Sequence, residues 1–196
     1  MKNYKKNLEL LTKNHVYSKE MEHDACGVGV IVSTEGKKSR EIVEHGIEAL
    51  KAVWHRGAVD ADGKTGDGAG IHVEIPKDFF IEKIEVTGHD YDNAEICVGM
   101  IFLPRNDYSA QESCKTIVES ELTKNNFSIY GWRQVPVNPK ILGQKALQTM
   151  PEIIQVLFKS NDQNLLDKNL ERKIYETRKK IEKKAFQLSL NNFYIC

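Results

Sequence analysis

Hydrophobic positions in this chain of 196 residues fall into short β-branched runs and longer stretches of helical spacing. Residues 27–34, with Val28, Val30, Ile31 and Val32, read as a buried strand. Ser39 is placed to cap a helix in which Ile42, Val43, Ile47, Leu50, Val53 and Trp54 share a face. Residues 55–70 then carry Gly57, Gly63, Gly66, Gly68 and Gly70, too much backbone freedom for a regular element. Apolar runs over 71–75 and 95–103, each closed by a proline, predict a second and a third strand. A helix over 109–124, strands over 127–135 and 153–158, and a long charged helix over 166–186 follow. One more strand starts at residue 192, and the chain stops within it.

A strand interrupted in mid-run leaves a sheet position half built, so the domain is expected to continue past residue 196. Strands in adjacent runs, without strict βαβ alternation, favour α+β layering. The mixed-sign charges of residues 171–184 read as a solvated helix face with intrahelical pairs. Ahead of the first strand, Lys2, Lys5, Lys6, Lys13 and Lys19 are scattered among polar groups. That composition suits a solvated leader with a short helix over 5–12.

Composition narrows the function classes. The 28 basic and 28 acidic side chains give zero formal charge, against a dominant nucleic-acid or anionic-membrane surface. No apolar run approaches the ~20 residues needed to span a bilayer. The leader lacks a continuous apolar secretory core, because Lys13, Asn14 and His15 follow closely on Leu10 and Leu11. The expected compartment is the cytoplasm. Cys26, Cys97, Cys114 and Cys196 lie far apart, with neither zinc nor thioredoxin-type spacing.

The candidate chemistry begins at Cys26, and two readings of it are open. A lone cysteine beside a strand packs as a small apolar side chain. If the Ala25–Cys26 bond is cut, however, one residue carries both a thiol and a free α-amine. Their reference pKa values, about 8.5 and about 7.7–8.0, let the amine take up the thiol proton near neutral pH without a histidine. Ala25 and Gly27 leave room for a tight scissile turn. Downstream, His55 and Arg56 either complement the end of the predicted helix, or Arg56 supplies a permanent charge beside the thiolate.

The Gly63-Lys64-Thr65 triplet resembles the tail of a phosphate-binding loop. That motif needs a glycine where Ala58 stands, and a strand before and a helix after; here the order is reversed. A calcium loop fails too, with Lys64 at its third acidic position and Ile71 in place of the closing glutamate. A structured glycine-rich loop lining a pocket remains. His15, His23, His45, His55, His72 and His89 show no metal-binding spacing and are assigned none. Arg133 reads as structural, at a strand end.

Four segments together resemble the amino-terminal glutaminase domain of the glutamate synthase large subunit. They are His23-Asp24-Ala25-Cys26-Gly27-Val28-Gly29, His55-Arg56-Gly57-Ala58, the stretch from Asp62 to Gly70, and Gly131-Trp132-Arg133-Gln134-Val135-Pro136. Leu142-Gly143, Pro151-Glu152-Ile153-Ile154-Gln155, Glu171-Arg172-Lys173-Ile174-Tyr175 with Arg178-Lys179, and Phe193-Tyr194-Ile195 extend the match in order. The resemblance implies a class II glutamine amidotransferase with the N-terminal-nucleophile hydrolase fold, a four-layer αββα sandwich. It makes residues 1–25 a propeptide and residues 26–196 a partial amidotransferase domain. Cys26 becomes the nucleophile and, once freed, the α-amine base, and Arg56 the supporting arginine.

By the same resemblance the substrate is L-glutamine, and the partner is the remainder of the glutamate synthase large subunit. The glutamine clamp and oxyanion donors are expected beyond residue 196, so the isolated chain is expected to be inactive. FMN and an iron–sulfur cluster are expected downstream, with no cofactor or metal in this segment. The alternative is a non-catalytic remnant or interaction subunit that keeps its leader. A third reading, a cysteine N-terminal hydrolase acting on another amide, is disfavoured by the Gly131–Pro136 segment.

Overall fold

The computed structural model describes residues 6, 9, 10, 13, 27–162 and 164–196, with backbone alone for Arg56 and Asp167. They divide into two compact units. One holds the described residues up to Ala58 together with Asp67–Ile71; the other holds Val59–Gly66 and His72–Cys196.

In the first unit, Lys6, Glu9, Leu10 and Lys13 are helical, at and just past the predicted leader helix. Helix α1 (Arg40–Ala52) starts where Ser39 predicts: the serine Oγ accepts from the Ile42 amide at 3.4 Å, with Ser39 itself extended. Its apolar residues Ile42, Val43, Ile47 and Leu50 are half-buried, none fully. The strand predicted over 27–34 is not there. That stretch is irregular, with Val28 92% and Val30 82% exposed. β-Branched side chains suit a strand, but a strand forms only where its N–H and C=O groups meet a neighbour. No ladder partner for 27–34 occurs among the described residues. The strand predicted over 71–75 fails likewise, with Ile71, Val73 and Ile75 partly exposed in irregular chain.

The second unit is built on an antiparallel sheet. Its elements are α2 (Lys77–Val86), β1 (Cys97–Leu103), α3 (Tyr108–Lys124), β2 (Phe127–Gln134), α4 (Gln144–Thr149), β3 (Glu152–Ser160), α5 (Asp167–Gln187) and β4 (Tyr194–Ile195). The strand order is β2-β3-β1-β4, each neighbouring pair antiparallel. This is the α+β class expected from the sequence. Strand β1 alternates buried and half-buried positions, as a period of two demands. Ile101 pairs across to Ile154, and Cys97 to Phe158. These residues join Ile117, Val118 and Leu122 of α3 and Leu170 and Ile181 of α5 in the main core. A second apolar cluster joins Phe80 and Ile84 of α2 to Tyr130 and Leu157.

Helices α3 and α5 are tied by charge as well as by apolar contact. Glu121 of α3, 6% exposed, pairs with Lys184 of α5 and lies 3.6 Å from Lys124. Lys180 donates to the Asn125 side chain at 2.6 Å. The intrahelical pairs read from the sequence are present, with Arg172–Glu176 at 2.9 Å and Arg178–Glu182 at 3.3 Å. What the periodicity did not reveal is that part of this basic face serves α3.

Candidate active site

Cys26 lies outside the described residues. Arg56 closes a 3-10 turn, Trp54–Arg56, which ends with the Gly57 amide donating to the Trp54 carbonyl at 2.9 Å. Beside it, the His55 Nδ1 donates to the Ala52 carbonyl at 3.2 Å. His55 therefore caps a carbonyl at the end of α1, the structural role open to it from the sequence. In the same unit, the Asp67 carboxylate accepts from the Ala58 amide at 2.8 Å.

The glycine-rich loop is organised around another aspartate. Asp62 Oδ1 accepts from the Lys64 and Thr65 amides at 2.9 and 2.7 Å, and its Oδ2 from the Thr65 hydroxyl at 2.6 Å. Gly63 makes the turn with a φ of +68°, which favours glycine. These bonds, led by that of the Thr65 hydroxyl and joined by the Lys145 amide, hold the Asp62 carboxyl well below the usual carboxylate range. The amides a phosphate would need are thus already engaged by a carboxylate, a local reason why Gly-Lys-Thr is not a phosphate cradle here.

Two residues far along the chain secure this turn. Gly143 packs so closely that a Cβ built on it would collide with the Thr65 amide and hydroxyl and with Asp62 Oδ2. Lys145 Nζ pairs with Asp60 Oδ2 at 2.6 Å. Two stretches that carry the family resemblance, Asp62 to Gly70 and Leu142-Gly143, therefore meet in space at Thr65 and Gly143. No short-range spacing encodes this pairing, so it was not legible before the fold was known.

Other candidate side chains are accounted for structurally. Burial pushes the Cys97 thiol up to about 12 and the Cys114 thiol up to about 11, so neither supplies a thiolate near neutral pH. Arg133 donates to the Gln155 side chain at 2.7 Å and stacks over Phe79, in line with its structural reading. Tyr130 donates to Asp92 Oδ1 at 2.5 Å, and Lys159 pairs with the same carboxylate. Lys159 and then Tyr130 hold Asp92 down at about 2, a locked ionic contact. Among the described residues no group of His, Cys, Asp and Glu side chains is arranged to hold a metal ion. No helix among them is long and apolar enough to cross a membrane.

Comparison with known proteins decides the family. The profile of the glutamine amidotransferases class-II matches residues 26–196. The chain belongs to this family. Its similar class-II amidotransferase relatives include the "Glutamate synthase [NADPH] large chain" of Azospirillum brasilense, 51% identical over 98% of this chain and 13% of the relative. The ferredoxin-dependent glutamate synthase of Pyropia yezoensis is 38% identical over 95% of this chain and 12% of its own length. Ferredoxin-dependent glutamate synthase 1 of Arabidopsis thaliana is 40% identical, over 83% and 10%. The chain spans only about an eighth to a tenth of the length of these class-II amidotransferase relatives.

Proposed function

We propose that this chain is the amino-terminal part of the glutaminase domain of a glutamate synthase large subunit, working in the cytoplasm with the remainder of that subunit. The observation that carries the reading is the starting point of the family match, Cys26 itself. That is the residue at which a cut would expose thiol and amine together. The identity to the Azospirillum relative over nearly the whole chain supports the glutamate synthase assignment.

In this reading residues 1–25 are a propeptide, and removing them leaves Cys26 with a free α-amine. The amine takes the thiol proton, and the thiolate attacks the side-chain amide carbon of L-glutamine. A carbon–sulfur bond forms, the carbon–nitrogen bond breaks, and ammonia leaves with the proton returned by the α-ammonium. Water, losing a proton to the amine, then cleaves the γ-glutamyl thioester and releases glutamate and the thiol. Arg56 supplies a fixed positive charge that favours the thiolate. Ammonia would be joined to 2-oxoglutarate in the remainder of the subunit, outside this segment, where FMN and an iron–sulfur cluster would supply the reducing chemistry. No cofactor is assigned to this segment.

The fold reading follows the same line. The sheet and its α3–α5 layer form one β and one α layer of a four-layer αββα sandwich. The β-branched segments 27–34 and 71–75 belong to the second sheet. Their apolar residues without a strand partner support this, because such segments gain most from a ladder that covers them.

Glutamine hydrolysis by the chain co-expressed with the remainder of the large subunit tests the function. Cys26→Ala is expected to lower glutamate and ammonia release by about 10⁴-fold or more, with ammonia-dependent synthesis retained. Unchanged glutamine turnover in Cys26→Ala would overturn the assignment.

A further inference from the structure

We propose that Asp62, Gly143 and Lys145 are positioning residues for the glutaminase site, clasping residues 60–65 in one conformation directly downstream of Arg56. The inference rests on the role given to Arg56 above and adds to it residues that touch neither the substrate nor the thiol. Five glycines between residues 57 and 70 leave this part of the chain with a large conformational entropy to lose on ordering. A site arginine next to such a segment needs something to hold the segment still.

The clasp has two independent attachments within the second unit. The first is polar and steric. The Asp62 carboxylate gathers the Thr65 hydroxyl and the Lys64 and Thr65 amides within 2.9 Å. The turn so formed lies against Gly143, where no side chain fits. The second is ionic, Lys145 to Asp60 at 2.6 Å. Together they pin both ends of residues 60–65 to residues 143–145, some eighty positions later. Arg56 stands four residues before Asp60 along the chain, so the held segment begins almost directly after it. Precise placement of a charged group near a reacting atom is worth large factors in rate, because an error of an ångström can cost about a hundredfold.

Lys64, exposed at the turn, provides a readout independent of activity, because trypsin cleaves after lysine only where the backbone can open. In the purified chain, Asp62→Ala and Gly143→Ala are expected to speed cleavage after Lys64 about tenfold or more. Asp62→Asn, which keeps one acceptor oxygen, is expected to fall between these and the parent chain. In the chain assembled with the remainder of the large subunit, the same two variants should lower glutamine turnover roughly ten- to a hundredfold. They should also shift the pH profile of Cys26 alkylation to higher pH, with ammonia-dependent synthesis unchanged; a merely structural role would leave that profile in place.

Unchanged cleavage after Lys64 in both variants would overturn the clasp. Faster cleavage with unaltered turnover and an unaltered Cys26 profile would overturn the positioning role. Absence of glutamine turnover in the unsubstituted assembly would overturn the proposed function and the positioning role with it, while cleavage after Lys64 still judges the clasp.

Discussion

Glu121 shows how a single side chain can hold two helices together without any sign of it in the local sequence. It sits in a charged stretch of α3, yet its carboxylate is almost fully buried and is held below the usual range, chiefly by its hydrogen bond from Lys184. A carboxyl whose pKa is lower in the folded state contributes stability that is complete above its unfolded value, about 4.3. That contribution is lost as the pH falls through the lower folded value. Glu121→Gln is therefore expected to destabilise the chain by about 1–3 kcal/mol at neutral pH. It should also flatten the loss of stability between neutrality and acid, as urea denaturation at stepped pH would record. The thiols give a second residue-level expectation. At pH 7.5 a maleimide should label exposed Cys196 at least about a hundredfold faster than buried Cys97 or Cys114, with mass spectrometry of peptides as the check. At this scale the sequence disclosed Cys26 and Arg56 as candidates through residue type and motif. It did not disclose Glu121, Gly143 or Lys145, whose partners Lys184, Thr65 and Asp60 lie 63 to 85 positions away in contacts that no periodicity records.

Among the elements, β2 carries the most informative irregularity. Its pairing with β3 shifts between Ile129 and Gly131, and Gly131 adopts a φ of +151°. A Cβ there would stand 2.7 Å from the Thr87 side chain, whose hydroxyl lies 2.7 Å from the Tyr130 carbonyl. Gly131→Ala is expected to cost about 1–3 kcal/mol through backbone strain and collision. Thermal unfolding should show the loss, and amide exchange should rise in α2 and β2 together. Strands β1 and β3 were legible as short apolar runs and β2 through the alternation of residues 127–135. The same composition misled over 27–34 and 71–75, where the side chains suit a strand but the backbone has no partner. Helix α2 escaped notice because Phe79, Phe80 and Ile81 are adjacent and blur the helical period.

On the scale of the whole molecule, apolar surface is left open at several places. Val28, Val30, Val32, Trp54 and Phe186 are each 70% or more exposed, beyond the scattered single residues ordinary for a soluble surface. The purified chain is expected to self-associate in sedimentation velocity and to bind a hydrophobic dye. Both effects should fall when the remainder of the large subunit is co-expressed. A dye-silent monomer at high concentration would count against the second-sheet role given to segments 27–34 and 71–75. The most direct measurement of the central claim is the intact mass and first residue of this chain, isolated from its native host in an assembly that hydrolyses glutamine. The account predicts a chain that begins at Cys26, its α-amine free and its sulfur carrying the label after treatment with a glutamine-like diazoketone. A glutamine-hydrolysing assembly in which Ala25 is still joined to Cys26 would contradict it.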